Sequence, residues 1–308
     1  MDRIVVTTLG RDRPGIVAGF SSTLAKYHAN ILKTRASSLG DLFVMVMLVD
    51  VTKTTALTTL KADLKKKGVE LGSGVSIEKA STYGKKKKLV AFDLDGTLIN
   101  IETLDELAKL VGVEKEIGEI TKKAMNGEIE FREALTQRVK LLKNLPLTKI
   151  EELKKKIPIT HGAQDLISEL KKAGFITAII TGGFNIFADE IGKKLGVDYV
   201  YANKLIIKNG KLTGEFEGEI LSPESKLKIL RKIASKEGIS LEECVAVGDG
   251  ANDLLIIRNA GLGIGFNPKK IVQKNAKAII NVKDLKVVPA LIGIGQIKSD
   301  VVKRLKKT

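Results

Sequence analysis

"KLVAFDLDGTLIN", residues 88–100, begins as an apolar strand and turns acidic at its end. Leu89, Val90, Ala91 and Phe92 are apolar; Asp93, Leu94, Asp95, Gly96 and Thr97 follow at once. Alternate residues of a strand share a face, so Asp93 and Asp95 point the same way. Two close carboxylates repel, and a buried one is costly unless a partner offsets it. The stretch therefore predicts a buried strand that ends in a polar site with positive charge nearby.

Downstream, apolar strands alternate with helical segments, the pattern of a parallel, doubly wound α/β sheet. The strands are expected at "LVAFD" (89–93), "ITAII" (176–180), "CVAVGD" (244–249), "LGIGF" (262–266) and "AIINV" (278–282). A helical, charge-rich insertion over roughly 101–160 separates the first two and reads as a cap. "LIIKNGKLTGEFEG" (205–218) reads as a hairpin turning at Asn209-Gly210.

Upstream, residues 1–82 form a smaller α+β unit, and residues 83–308 form the larger domain. The order is strand (3–9), helix from Pro14-Gly15 onward, two strands (30–39 and 41–50), a helix closed by Gly68, and a strand at 75–80. "STYGKKKK" (81–88) reads as the linker between the two units.

Composition narrows the partners. The 308 residues carry 44% apolar residues, 4% aromatic, no Trp and a formal net charge of +16. Lys dominates that charge and is spread along helices beside Glu, with no basic–aromatic interleaving, so it reads as solvation and nucleic acid is not expected as a partner. No apolar run approaches the ~18 residues of a membrane span. Cys244 is the one cysteine, which excludes an internal disulfide, and no signal-peptide pattern opens the chain. A cytoplasmic protein is the expectation. Cys244, Met45 and Met47 read as core, and His28 and His161 lie too far apart in sequence to suggest a metal site.

Ligands of open α/β sheets sit at the carboxyl ends of the strands. Three strands here end in polar clusters: Asp93 to Thr97, Thr181-Gly182-Gly183, and Asp249-Gly250-Ala251-Asn252-Asp253. Lys226 lies between the second and third, on the helix after Pro223. Converging carboxylates hold a hard divalent cation, here Mg²⁺. Thr181, the glycine amides and Lys226 supply donors for an anion. One Asp can then attack phosphorus while the other gives a proton to the leaving oxygen.

On these motifs, residues 88–290 resemble the haloacid dehalogenase superfamily of phosphatases, whose signature runs DxDGT, then Thr or Ser, then Lys, then GDGxND. Within it the resemblance is to the phosphoserine phosphatase family, on "NIETLDELA", "AMNGEIEFREALTQRVKLLKNLP", "TGGF", "LTGEFEGEI" and "AVGDGANDL". Gly96 stands where many of those enzymes have Ser. Residues 1–80, with "DRPGIVAGFSSTLAKYHANI", resemble an ACT domain, a ferredoxin-like amino-acid-sensing module.

The resemblance implies the following roles. Asp93 is the nucleophile and Asp95 the general acid, then base. Asp93, the Asp95 backbone carbonyl and Asp249 bind Mg²⁺, supported by Asp253. Thr181, Gly182 and Lys226 hold the phosphoryl oxygens of phosphoserine, with Asn252 close by. Glu102 meets the substrate ammonium and Arg138 its carboxylate, while Met125 and Phe131 wall the pocket. The reaction is then the last step of serine biosynthesis. The ACT resemblance implies a homodimer that takes serine as an effector near Asp12, Gly15 and Asn30, the last expected close to that turn. Other readings stay open on the sequence: another small phosphate ester such as phosphohomoserine, phosphoryl transfer to a second alcohol, or an ACT binding module with a vestigial catalytic half.

Overall fold

The computed structural model describes residues 2–39, 42–81, 83 and 87–292. The N-terminal unit runs β1 (Arg3–Arg11), α1 (Ile16–Lys26), β2 (Asn30–Leu39), β3 (Leu42–Asp50), α2 (Leu57–Glu70) and β4 (Ser73–Lys79). Its strands lie in the order β2-β3-β1-β4, antiparallel at each pairing. Ile4, Val6, Met45, Met47, Val75 and Ile77 bury one face of this sheet against Phe20, Leu24, Leu60 and Leu64 of the two helices. Period-2 burial on the strands and helical spacing on α1 and α2 meet in that layer.

Two local expectations are corrected here. Helix α1 starts at Ile16 with Gly15 left-handed ahead of it, so Pro14 belongs to the preceding turn. Helix α2 runs two residues past Gly68, which is buried where a β-carbon would sit 2.4 Å from Val75. Gly68 thus serves close packing, and the left-handed turn after the helix falls on Gly72. The expected hairpin turn at Gly40-Asp41 lies outside the described residues.

The larger unit opens with β5 (Leu89–Phe92). The insertion follows as α3 (Thr103–Val111), α4 (Glu114–Met125), α5 (Phe131–Lys140) and α6 (Leu147–Lys156). Then come α7 (Ala163–Lys172), β6 (Ile176–Phe184), α8 (Asn185–Leu195) and the hairpin β7 (Tyr199–Lys208) and β8 (Lys211–Glu217). Asn209 and Gly210 both have positive φ at its tip, as a two-residue hairpin requires. The described residues continue with α9 (Pro223–Lys236), β9 (Cys244–Gly248), α10 (Leu254–Asn259), β10 (Leu262–Phe266), α11 (Lys270–Asn275), β11 (Ala278–Ile280) and α12 (Val288–Ile292). Strand β7 begins earlier than its hairpin half suggested, pairing in parallel with β6 from Tyr199.

The two units share one sheet. Its eleven strands run β2-β3-β1-β4-β11-β10-β9-β5-β6-β7-β8. At the seam β4 pairs antiparallel with β11, Ala278 opposite Ser76 and Ile279 opposite Val75, and the Ile77 N–H donates to Lys277 O at 3.0 Å. Gly74 is required there, since a β-carbon would lie 2.6 Å from Ile279 O. Tyr83 and Lys87 of the expected linker are buried, and one apolar layer runs from Val5, Leu9 and Val46 through Tyr83 to Val245 and Ile280. Within 81–88, Tyr83 and Lys87 are therefore packed, while Ser81 is exposed. Pairing spares both sheets an exposed edge at this junction.

Chain order reverses at β5. Strands β6 and β7 follow on one side of it, and β9, β10 and β11 on the other. The carboxyl ends of β5 and β9 thus flank the switch point, the crevice where open α/β sheets bind ligands.

Candidate active site

Strand β5 delivers its acidic turn to that crevice. The Asp93 N–H donates to Val247 O at 2.9 Å, continuing the β5–β9 ladder to the first carboxylate. The chain then turns sharply, with the Thr97 and Leu98 N–H groups bonding back to Leu94 O. Gly96 carries φ of 66°, and a β-carbon there would lie 3.0 Å from the Asp249 carboxyl carbon. Both its dihedral and the approach of Asp249 suit glycine.

Asp93 is buried and held on both oxygens. Its Oδ1 accepts from the Leu94 N–H at 2.8 Å and lies 3.0 Å from Lys226 Nζ; its Oδ2 accepts from Asn252 Nδ2 at 2.8 Å. Burial opposes its ionisation, but the Lys226 ammonium and these donors, Thr181 among them, more than offset it and hold Asp93 below the usual carboxylate range. Lys226 sits on α9, the helix expected after Pro223, which Pro223 opens and Ser222 caps. Its side chain is 1% exposed and also bonds Asp253 Oδ1 at 2.7 Å. Burial works against that charge, yet the two carboxylates raise its pKa well above the ordinary lysine value.

Asp95 has the opposite environment. Its Oδ2 accepts from Thr103 Oγ1 at 2.9 Å, and its buried Oδ1 has no hydrogen-bond partner among the described residues. Burial, then the charges of Asp93 and Glu102, push its pKa well above the usual value. Two carboxylates two residues apart are thus driven in opposite directions, one toward the anion and one toward the acid, the division of labour that nucleophile and general acid need. Thr103, the first residue of α3, had no role in the sequence reading. A threonine opening a helix carries no signal beyond that.

The second cluster closes the crevice. Thr181 is buried and accepts from the Gly183 N–H at 2.9 Å. Buried Asn203 braces this turn, donating to Gly182 O at 2.8 Å and accepting from the Leu221 N–H at 2.7 Å. The strand β6 runs irregularly through these residues to Phe184, past the end expected at Ile180.

The inserted helices supply the remaining residues. The Phe131 ring tip is 3.9 Å from where a Gly182 β-carbon would be. Arg138 on α5 bonds Ala134 O at 3.2 Å and Thr121 Oγ1 at 3.4 Å; burial lowers its pKa, countered by Asp105 and Glu102. Glu102 sits at the mouth, its side chain 51% exposed, with its pKa raised by partial burial. Met125 ends α4, and its side chain lies outside the described part. One further charge faces the site: Lys269 Nζ lies 3.8 Å from Glu102 Oε1 and 3.7 Å from Asp249 Oδ2. Among the chain's 52 Lys and Arg residues, nothing in the sequence pattern singled it out.

Carboxylate oxygens of Asp93, Asp249 and Asp253 lie within 4.8 Å of one another. An all-oxygen donor set of this kind fits a hard divalent cation. Asp253 is already engaged on both oxygens, by Lys226 at 2.7 Å and by the Gly250 N–H at 3.3 Å.

In the N-terminal unit, Asp12 and Gly15 follow β1, and Gly15 is left-handed with open space around it. Asn30 is not near them. It pairs with Asp50, which also pairs with Arg3 at the start of β1, whereas the turn follows Arg11 at its other end. Eight residues of extended strand separate these ends by about 26 Å. Sequence order hid this, because α1 carries the chain back across the sheet before β2 starts.

A family model described as haloacid dehalogenase-like hydrolase matches residues 90–258, and one described as ACT domain matches residues 2–78. A phosphoserine phosphatase of Archaeoglobus fulgidus is 42% identical over 281 residues, covering 91% of this chain and 81% of its own. A phosphoserine phosphatase of Methanocaldococcus jannaschii is 51% identical over 202 residues, 66% of this chain and 96% of its own. Among solved structures, a phospho-aspartyl intermediate analogue of phosphoserine phosphatase matches at 50% identity and TM-score 0.63, over 68% of this chain and all of that one. A probable phosphoserine phosphatase of Vibrio cholerae matches at 30% identity and TM-score 0.75, over 98% of this chain and 88% of that one.

Proposed function

The chain belongs to the haloacid dehalogenase-like hydrolases, with an ACT domain ahead of the catalytic one, and from that membership we propose that it hydrolyses O-phospho-L-serine through a phosphorylated Asp93. The observation that carries the reading is the opposed pair: Asp93 lies 3.0 Å from buried Lys226, which lowers its pKa, while Asp95, two residues on, has a buried Oδ1 without a hydrogen-bond partner among the described residues and a pKa raised by burial.

Asp93 Oδ attacks phosphorus, and the bond from phosphorus to the serine oxygen breaks. Asp95 gives its proton to that leaving oxygen, so serine departs as the neutral alcohol. Asp95, now a carboxylate, takes a proton from water, and the oxygen of that water attacks phosphorus. The bond to Asp93 breaks, releasing phosphate with Asp93 ionised and Asp95 protonated again. Lys226, Thr181 and the Gly182 amide hold the phosphoryl oxygens, and Asn252 keeps Asp93 turned for in-line attack. Asp93, the Asp95 backbone carbonyl and Asp249 would hold Mg²⁺, with Asp253 in support; the ion supplies charge neutralisation at the phosphoryl group. Glu102 and Arg138 receive the substrate ammonium and carboxylate, and Phe131 shields the site from water.

We assign the reaction to the last step of serine biosynthesis, with serine as an effector of a dimer paired through the ACT domain. Because Asn30 and the Asp12–Gly15 turn lie at opposite ends of one sheet, a serine site using both takes Asn30 from a second copy.

The test is phosphate release from phosphoserine, phosphohomoserine and an ester without a carboxylate, in chelator and after Mg²⁺ is restored. The reading expects phosphoserine to be preferred, no turnover in chelator, and full recovery. Full activity in excess chelator, or equal rates on all three esters, contradicts it.

A further inference from the structure

Lys269 stands on a loop fixed from several sides. Its own N–H donates to Asp249 O at 2.9 Å. The preceding Pro268 packs against Gly265, and its carbonyl accepts from Gln273 Nε2 at 3.0 Å. The Asn267 N–H donates to Ile280 O at 2.8 Å, tying the loop to β11. From this support the Lys269 ammonium reaches back over Gly250 to the mouth of the site. There it faces one oxygen of Glu102 and one of Asp249, at 3.8 and 3.7 Å.

We propose that Lys269 is a positioning residue for substrate selection: its ammonium holds Glu102 by Oε1 against the fixed edge of the Asp249 loop, which leaves Oε2 aimed at the substrate ammonium. A carboxylate tethered at one oxygen loses the rotation that would otherwise blur the position of the other. The tether is a screened pair, since the Lys269 side chain is 63% exposed, so its effect is modest and falls on binding rather than on bond breaking. The proposal rests on the reading of Glu102 as the receiver of the substrate ammonium.

The experiment compares Lys269→Met and Lys269→Arg with the unaltered enzyme, on phosphoserine and on phosphoglycolate, which keeps a carboxylate and lacks the ammonium. Lys269→Met should raise KM for phosphoserine about fivefold with kcat changed less than about twofold, and leave KM for phosphoglycolate within about twofold. Lys269→Arg should restore KM for phosphoserine, and thermal unfolding of both variants should match the parent. An unchanged KM for phosphoserine, equal rises on both esters, or a loss confined to kcat overturns the proposal. If the unaltered enzyme does not favour phosphoserine over phosphoglycolate, the Glu102 reading itself has failed and the proposal falls with it. Preference in the parent without a shift in Lys269→Met overturns the proposal alone.

Discussion

Among the described residues, lysines that lose water on folding meet two kinds of partner. At the catalytic edge, Lys226 lies between the Asp93 and Asp253 carboxylates, and its pKa rises. At the seam, Lys65 of α2 reaches the carbonyls of Gln273 and Ala276 at the end of α11, and burial lowers its pKa to about 8. Lys87, in the stretch ahead of β5, donates to Glu242 O at 2.7 Å within the larger unit and is also lowered by burial. Carbonyl dipoles satisfy the donors without repaying the cost of burying the charge, whereas carboxylates repay it. The first arrangement holds two carboxylates in place; the second, at Lys65, links α2 of one unit to the end of α11 of the other. Lysine as a residue type says nothing about which it will be.

The largest effects should come from the catalytic edge. Asp93→Asn replaces the carboxylate with a neutral amide that is a poor nucleophile, and should abolish phosphate release. Asp95→Asn should slow turnover about 10²–10⁴-fold, the usual worth of a general acid. Near-normal release by Asp93→Asn in folded protein would break the contrast at its root.

Lys226→Met is expected next, and should cost stability as well as turnover. It leaves Asp93 and Asp253 facing each other without their shared cation, a loss of about 3–5 kcal/mol in urea unfolding. Unaltered stability would mean that the two carboxylates do not depend on that ammonium.

How far these regions were legible in the sequence differs for a physical reason. Asp93, Asp95, Thr181, Lys226, Asn252 and Asp249 stand at strand ends or on the helix between them, and strand periodicity with α/β alternation brings those ends together. The pairing of β4 with β11 sets Val75 and Ser76 against Ile279 and Ala278, ordinary strand residues far apart in the chain, so no side chain announces it. Asn30 was misplaced by sequence nearness, and the role of Gly68 was misread because packing against Val75 looks, in sequence, like a helix stop. The contacts of Thr103 with Asp95, and of Lys269 with Glu102 and Asp249, exist only in the folded chain.

The smallest effects belong to the seam. Lys65→Met should cost about 1 kcal/mol, the net worth of such hydrogen bonds, and change kcat less than about twofold. Its pH dependence has a definite sign. With a folded pKa of about 8 against an ordinary 10.5, the unfolded chain binds more protons between those values. The contribution of Lys65 is therefore present above the unfolded value and lost as pH falls through about 8. Unfolding at pH 7, 8, 9 and 10 should show the parent gaining on Lys65→Met as pH rises. A difference that is flat, or that shrinks, would show that the seam holds its lysine much as the catalytic edge holds Lys226.

The central claim is that Asp93 carries the phosphoryl group. It is tested most directly by mixing the enzyme with labelled phosphoserine, quenching in acid within the first turnover, and locating the label by peptide mass spectrometry. The account predicts a hydroxylamine-labile label on the peptide containing Asp93, and none in Asp93→Asn. Phosphate released within that turnover with no label on any peptide would contradict it.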